Sequence, residues 1–345
     1  MNFSRKVSRH GMACALALLL ALAGLGQERL LPAPEGTFTY AFFSDTHRYS
    51  GGSDGKPLTN ILFFAQTEWL ANNIVSQRIV FVTHAGDVAD KNTAAHYPLA
   101  QQAFAPLHGR VPYALLPGNH DIDSESRSTH FQQSFGASRY KDFAWYGGAY
   151  KNNADSWQTF SAGGLDFIIL HLECNAQDDV LAWADTVLEQ NRQRMAIIAT
   201  HMYLGPVEAR DKVGAEGAAF GRMRWGKAKG GNTPEQMWEK CFSKHENVFL
   251  IVSGDQASVI ALRQQSTGAN GNVVHELMAN YPVPTDRDDW LRLYRFDPEA
   301  KTIQAFTYSP LQDRLCTGIW YLQWKEAHLF SLDISDAIER FRARK

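Results

Sequence analysis

Cysteine is scarce in this chain, and the four it has, Cys14, Cys174, Cys241 and Cys316, stand far apart with no C-x-x-C pair. That excludes a disulfide framework and a zinc knuckle. Neither G-x-G-x-x-G nor a P-loop string occurs, so the glycine loops that cradle nucleotide phosphates are missing. A zinc-protease H-E-x-x-H begins at His275-Glu276 and fails, because Ala279 stands where the second histidine belongs. Gly51-Gly52-Ser53-Asp54-Gly55 spells G-x-S-x-G, but Lys56 and Pro57 follow where that motif needs a helix. It reads as a glycine loop. An excess of basic charge is also absent: the net charge is −2, so nothing favours electrostatic capture of nucleic acid or an anionic membrane.

What is present begins with an export signal. Arg5, Lys6 and Arg9 precede an apolar run from Met12 to Leu25, and Ala21-Leu22-Ala23 offers a small-x-small cleavage site. Residues 1–23 are therefore expected to be a signal peptide. The run is short and rich in small residues for a membrane span, an uncleaved anchor being the alternative. Cys14 lacks a lipobox-like context. Cleavage would remove three of the 34 basic residues and no acid, leaving 31 against 36 and a charge of −5. An exported chain with so few cysteines suits the bacterial periplasm or secretion, with no stable membrane insertion after cleavage.

The rest is long enough, and at 45% hydrophobic apolar enough, for a sizeable core. Residues 24–36, with Pro32 and Pro34, read as a linker, and 37–345 as a single domain. Strand-like runs cover Thr37–Phe43, Arg78–Thr83 and Val111–Leu116, with helical spacing at Leu58, Ile61, Leu62, Ala65 and Trp69 and over Asn92–Phe104. A second series places strands at Leu165–His171, Ala196–Thr200 and Val248–Val252, and helices at Asp179–Leu188 and Glu235–Lys244. This alternation implies parallel strands covered by helices. Thr233-Pro234-Glu235-Gln236 has the form of a capping box with proline at the first helical position. From Ser258 onward strand signals predominate, with turns at Ala269–Asn272 and Asp297–Glu299. The expectation is an α/β fold of two packed sheets with flanking helices.

Five short blocks carry the chemistry: Asp45-Thr46-His47, Gly86-Asp87, Gly118-Asn119-His120-Asp121, Thr200-His201 and Ser253-Gly254-Asp255-Gln256-Ala257. Each follows a strand-like run, where open α/β sheets collect their ligands. Asp45 and His47 are one residue apart, so on an extended segment both would leave the same side. Asp87 has two oxygens able to bridge two cations, Asn119 a neutral amide oxygen and His201 an imidazole. Singly, these are ordinary turn residues. Four such blocks in order point to a two-metal centre.

With these blocks the chain resembles the calcineurin-like metallophosphoesterase superfamily, whose pattern is D-x-H, G-D, G-N-H-D/E, a lone H, then G-H-x-H. Segments Leu172-Glu173 to Thr200-His201 and Gly230-Gly231-Asn232 to Asn280-Tyr281 are similar to a bacterial secreted branch. The resemblance implies a two-sheet mixed β-sandwich flanked by helices. It implies one or two divalent metal ions, from among manganese, iron, zinc, magnesium and calcium. Asp45 and His47 would hold the first metal, Asp87 would bridge, and Asn119 and His201 would hold the second. His120 would stabilise charge or protonate the leaving oxygen. The implied reaction is hydrolysis of a small phosphomonoester or phosphodiester by a metal-activated hydroxide.

The fifth block departs from the pattern, with Asp255 and Ala257 where two imidazoles are expected. Asp255 could restore one ligand to the second metal, while the first loses its partner at 257. Three protein ligands and water still make an open catalytic site, and carboxylate for imidazole shifts preference toward harder ions. The chain is thus an enzyme with altered metals, a one-metal enzyme, or a silent binding protein of the same fold. The long connection Tyr203–Gly231 carries Arg222, Arg224, Lys227 and Lys229 and is expected to contribute a basic wall to the substrate site.

Overall fold

The computed structural model describes residues 29–48, 61–208, 219–256, 261–281, 289–317 and 325–344. The expected signal peptide, the Gly51–Gly55 string, Leu58 and Ala257 lie outside the described residues.

Alternation along the first strand shows how the layers form. In β1 (Phe38–Phe43), Phe38, Tyr40 and Phe42 face a core between two sheets, whereas Ala41 and Phe43 face a helical layer. A strand buried on both faces lies inside a layered fold, not at its surface. β1 pairs in parallel with β2 (Ile79–His84), and β2 with β3 (Tyr113–Leu115). On its other edge β1 pairs antiparallel with β13 (Leu291–Asp297), which continues to β14 (Thr302–Ser309). β15 (Arg314–Leu315) and β16 (Leu329–Asp333) both pair with β14 to complete seven strands.

The second sheet also has seven strands. Its centre is parallel: β6 (Leu165–Leu172), β7 (Met195–Thr200), β10 (Val248–Ser253) and β12 (Val273–Met278). Antiparallel strands flank it, with β4 (Tyr146–Tyr150) and β5 (Asp155–Ala162) on one side and β11 (Leu262–Thr267) on the other. Phe38, Phe296, Phe167 and Phe249 interdigitate between the sheets, Phe38 stacking on Phe296 at 4.8 Å. Helices Ile61–Asn72 and Tyr97–Phe104 cover the first sheet, and Asp178–Gln190 and Pro234–Lys240 the second. The fold is the mixed two-sheet sandwich flanked by helices.

Several elements differ from the sequence reading. Helix Ile61–Asn72 buries Leu62, Phe63, Gln66 and Leu70, while Ile61 is exposed. Phe63 reaches His84 and Phe104, and those contacts set the rotation of the helix. The helix expected over Asn92–Phe104 starts only at Tyr97. The strand-rich C-terminal part closes with a helix. Helix Ser335–Arg344 sends Ala337, Ile338 and Phe341 into the core between the sheets. Among the described residues, no helix is long and apolar enough to cross a membrane.

Candidate functional site

Every one of the five blocks follows the C-terminal end of a parallel strand. β1 leads to Asp45 and His47, β2 to Asp87, β3 to Asn119 and His120, β7 to His201 and β10 to Asp255. The ends of the two sheets meet there, and backbone bonds stitch the loops together. Asp45 N donates to the Gly86 carbonyl at 2.9 Å, and Gly254 N to the His201 carbonyl at 2.9 Å.

Asp87 is the hub. His47 Nδ1 lies 3.8 Å and His120 Nε2 3.9 Å from its Oδ2, and His201 Nε2 lies 3.2 Å from its Oδ1. Two groups of possible metal ligands share this carboxylate, His47–Asp87–His120 and Asp45–Asp87–His201. Within each, the donor atoms lie within 4.8 Å of one another. Asn119 Oδ1 is 3.3 Å and Asp255 Oδ1 3.4 Å from His201 Nε2. All seven residues singled out in the sequence are therefore gathered in one place.

The D-x-H block achieves this by a different route from the expected one. Asp45 has a φ of 60°, and Thr46–Arg48 is a turn of 3-10 helix, so the pair is not on an extended segment. Asp87 and Asp255 share the left-handed backbone, with φ of 53° and 68°. That region is disfavoured for residues with a Cβ and recurs where function demands it. Gly86, at φ +93°, leaves room for His201: a Cβ there would stand 2.8 Å from the ring Nδ1.

Two imidazoles are oriented from behind. A carbonyl oxygen only accepts, so His201 Nδ1 donates to Ala85 O at 2.7 Å and turns Nε2 toward the carboxylates. By the same reasoning His120 Nδ1 donates to Asp90 O at 2.9 Å, and its Nε2 faces Asp87. The His120 and His47 rings stack at 4.4 Å.

The charges respond to this crowding. Burial pushes the Asp45 carboxyl up to about 7, with His201 opposing and the negative Asp87 and Asp255 reinforcing. Burial would also raise Asp87, but the charge and hydrogen bond of His201, with His47 and His120, hold it well below the usual carboxylate range. Asp255 is lowered too, its burial outweighed by His201 and Lys227. His201 is raised although burial opposes it, chiefly through Asp87 and then Asp255. Three buried carboxylates thus draw positive charge, whether as a proton on His201 or as a cation.

Two participants carry no separate weight in the sequence reading. Asp121, the last residue of G-N-H-D, accepts from Val88 N and Gly118 N at 2.9 Å, Ala89 N at 3.1 Å and Tyr97 Oη at 3.0 Å. It ties the Asp87 loop to the Asn119 loop, and its place in the motif is the signal for it. Ser44 Oγ donates to Asp45 Oδ2 at 2.6 Å.

Of the four basic residues expected to form a wall, three are ion-paired. Arg222 is engaged with Glu235 and Glu276, Arg224 with Glu208, and Lys229 with Glu125. Arg222 is firmly held, its partner Glu276 being buried, whereas the Arg224 and Lys229 pairs lie in solvent. Only Lys227 enters the cluster, donating to Asn119 Oδ1 at 2.9 Å and to Asp255 Oδ1. His84 and His171 take packed places, bonded to Thr46 and Thr83, and Glu173 pairs with Lys151.

Comparison with known proteins finds the following similarities. The Bacillus subtilis (strain 168) protein YvnB, itself uncharacterized, is 28% identical over 319 residues, covering 90% of this chain and 23% of that protein. The chain spans under a quarter of that relative's length. Among solved structures, GAP50, described as the anchor in the inner membrane complex of Plasmodium, is 11% identical with a TM-score of 0.46. That match covers 90% of this chain and 95% of GAP50. The NAD nucleotidase of Haemophilus influenzae is 13% identical with a TM-score of 0.41, over 89% of this chain and 55% of its own. Residues 38–231, more than half of the chain and four of the five blocks, match the family model for calcineurin-like phosphoesterases, and the chain belongs to that family.

Proposed function

We propose that the protein is an exported, metal-dependent hydrolase of small phosphomonoesters or phosphodiesters. The observation that carries this reading is the convergence of Asp45, His47, Asn119, His120 and His201 around the shared carboxylate Asp87. The residues fit a divalent cation. Oxygen and imidazole donors are gathered within 4.8 Å of one another in each group, and burial, reinforced by the neighbouring carboxylates, raises the Asp45 carboxyl to about 7. His201 hands its second ring N–H to a backbone carbonyl, the usual support behind a metal-ligating histidine. A bound cation supplies Lewis-acid polarisation of a phosphoryl oxygen.

As the family pattern implies, Asp45, His47 and Asp87 would hold one cation and Asn119, His201 and Asp255 would surround the second position, although the donor atoms group His47 with His120 and Asp45 with His201 around the shared Asp87. His120 is the catalytic residue. With Nδ1–H committed to Asp90, its Nε2 is the atom turned to the site, and from the doubly protonated ring it would give a proton to the leaving oxygen and be left as the neutral Nδ1–H form. At 39% side-chain exposure it is open enough to meet a substrate. The basic residues ahead of the apolar run at Met12–Leu25 support export.

The test is to strip the protein of metal and assay p-nitrophenyl phosphate and bis-p-nitrophenyl phosphate on adding back manganese, iron, zinc, magnesium or calcium. Turnover restored by an ion, and lost in Asp87→Asn and His120→Ala, is the expected result. Folded protein that is inactive with every ion would favour the silent binding protein instead.

A further inference from the structure

The fifth block loses an imidazole at 255 and gains a carboxylate, and the structure shows what faces that change. Lys227 Nζ donates to Asp255 Oδ1 and, at 2.9 Å, to Asn119 Oδ1. These two oxygens lie 3.4 and 3.3 Å from His201 Nε2, which is itself 3.2 Å from Asp87 Oδ1. The lysine nitrogen therefore stands among the donors that would surround a second cation. It is well shielded, with 13% of its side chain exposed.

Its position is imposed by the backbone. Asn175, with φ of 53°, accepts through Oδ1 from Lys227 N at 2.8 Å and Ala228 N at 3.3 Å. Asn175 Nδ2 donates to Asn232 O at 3.0 Å, and Trp225 Nε1 donates to Pro206 O at 2.9 Å. The segment is held on both sides of the lysine, which restricts the stem to a short reach into the site. Gln256 Nε2 donates to the other oxygen of Asp255, fixing that carboxylate as well.

We propose that the Lys227 ammonium takes the place of the second metal ion, so that the protein works with one metal, held on the His47 side of Asp87. The inference rests on the metal-hydrolase reading above and refines it. Charge balance supports it. Asp255 adds a negative charge where the family pattern has a neutral ring, and Lys227 returns a positive one. An ammonium has three donors and no acceptor, which suits the acceptor oxygens of Asn119 and Asp255. A fixed cation there would also supply positive charge next to a bound phosphoryl group, which is part of what a second ion contributes in a two-metal site.

The number of bound ions tests this without any assay of turnover. Metal-stripped wild type and Lys227→Met would be dialysed to equilibrium against Mn²⁺, and manganese counted per chain by mass spectrometry. One ion in wild type and two in the variant is the expected result. Two ions in wild type, or one in both, would overturn the lysine's role and leave the metal-hydrolase reading standing. None in either folded protein would overturn both. Should Lys227→Met fail to fold, anomalous scattering from Mn²⁺-soaked wild-type crystals decides. A single peak beside His47 and Asp87 supports the proposal, and a peak between Asn119 and His201 refutes it.

Discussion

Gly118 lies against Asp87 so closely that a Cβ on it would stand 2.2 Å from both the backbone N and Oδ1 of Asp87. The third block is therefore shaped around the second. Only a residue without a side chain allows the His120 amide to reach Asp87 Oδ1 at 2.8 Å while Asp121 accepts from Gly118 N. Gly118→Ala must displace backbone, which does not yield as a flexible side chain does. We expect a loss of about 1–3 kcal/mol of stability, the range for overpacking a tight interior, and weaker Mn²⁺ binding. Thermal melts and dialysis check both, and a variant matching wild type in the two measurements would contradict the close fit.

Arg222 is a structural cation. Its guanidinium donates to Glu276 Oε1 at 2.6 Å and to Glu235 Oε2 at 3.0 Å, and lies 4.5 Å over the Trp238 ring. Glu276 is fully buried, so Arg222→Met leaves it without its main counter-charge. Breaking a buried pair in this way costs about 3–5 kcal/mol. Urea denaturation should show that loss, with partial recovery in Arg222→Met/Glu276→Gln, and KM for any substrate should stay unchanged. A raised KM at wild-type stability would restore Arg222 to the substrate wall.

The site was more legible than its surroundings, for a physical reason. Ligand blocks depend on residue type and short spacing, which survive in a linear reading, and all seven candidate residues do meet. Lys227 is different. Its place depends on Asn175, 52 residues away, holding its amide, and no local pattern distinguishes it from Arg224 or Lys229. The helix Ser335–Arg344 is an intermediate case. Ile334, Ala337, Ile338 and Phe341 carry helical spacing, but they sit beyond a run of strands that dominates the periodicity. The rotation of helix Ile61–Asn72 is likewise set by Phe63 meeting His84, a tertiary contact.

The capping box was legible to the residue. Thr233 Oγ1 accepts from Gln236 N at 3.3 Å, and Gln236 Oε1 accepts from Thr233 N at 2.9 Å. Replacing the cap with Thr233→Ala is expected to cost about 1 kcal/mol, read as a lower denaturation midpoint with an unchanged m-value. No change in midpoint would mean that Pro234 and the packing of Met237 and Trp238 hold the helix start unaided.

His171 gives the fold a dependence on pH that is separate from the metal site. Tyr40 Oη donates to Thr83 Oγ1 at 2.8 Å, and Thr83 lies 2.9 Å from His171 Nε2, all fully buried. Burial lowers the His171 pKa from 6.5 to about 3. Above pH 6.5 the ring is neutral in both the folded and the unfolded chain, and its titration costs nothing. Between about 6.5 and 3 the unfolded chain binds a proton that the folded chain refuses, so stability falls with pH by about 1.4 kcal/mol per unit. His84, lowered to about 3 chiefly by burial, acts in the same direction and is common to wild type and a His171→Gln variant. From pH 7 to pH 5 wild type should therefore lose about 2 kcal/mol more than the variant, on the same linkage. Urea melts at the two pH values measure the difference. Equal losses would show that His171 takes up a proton in the folded protein as readily as in the unfolded one.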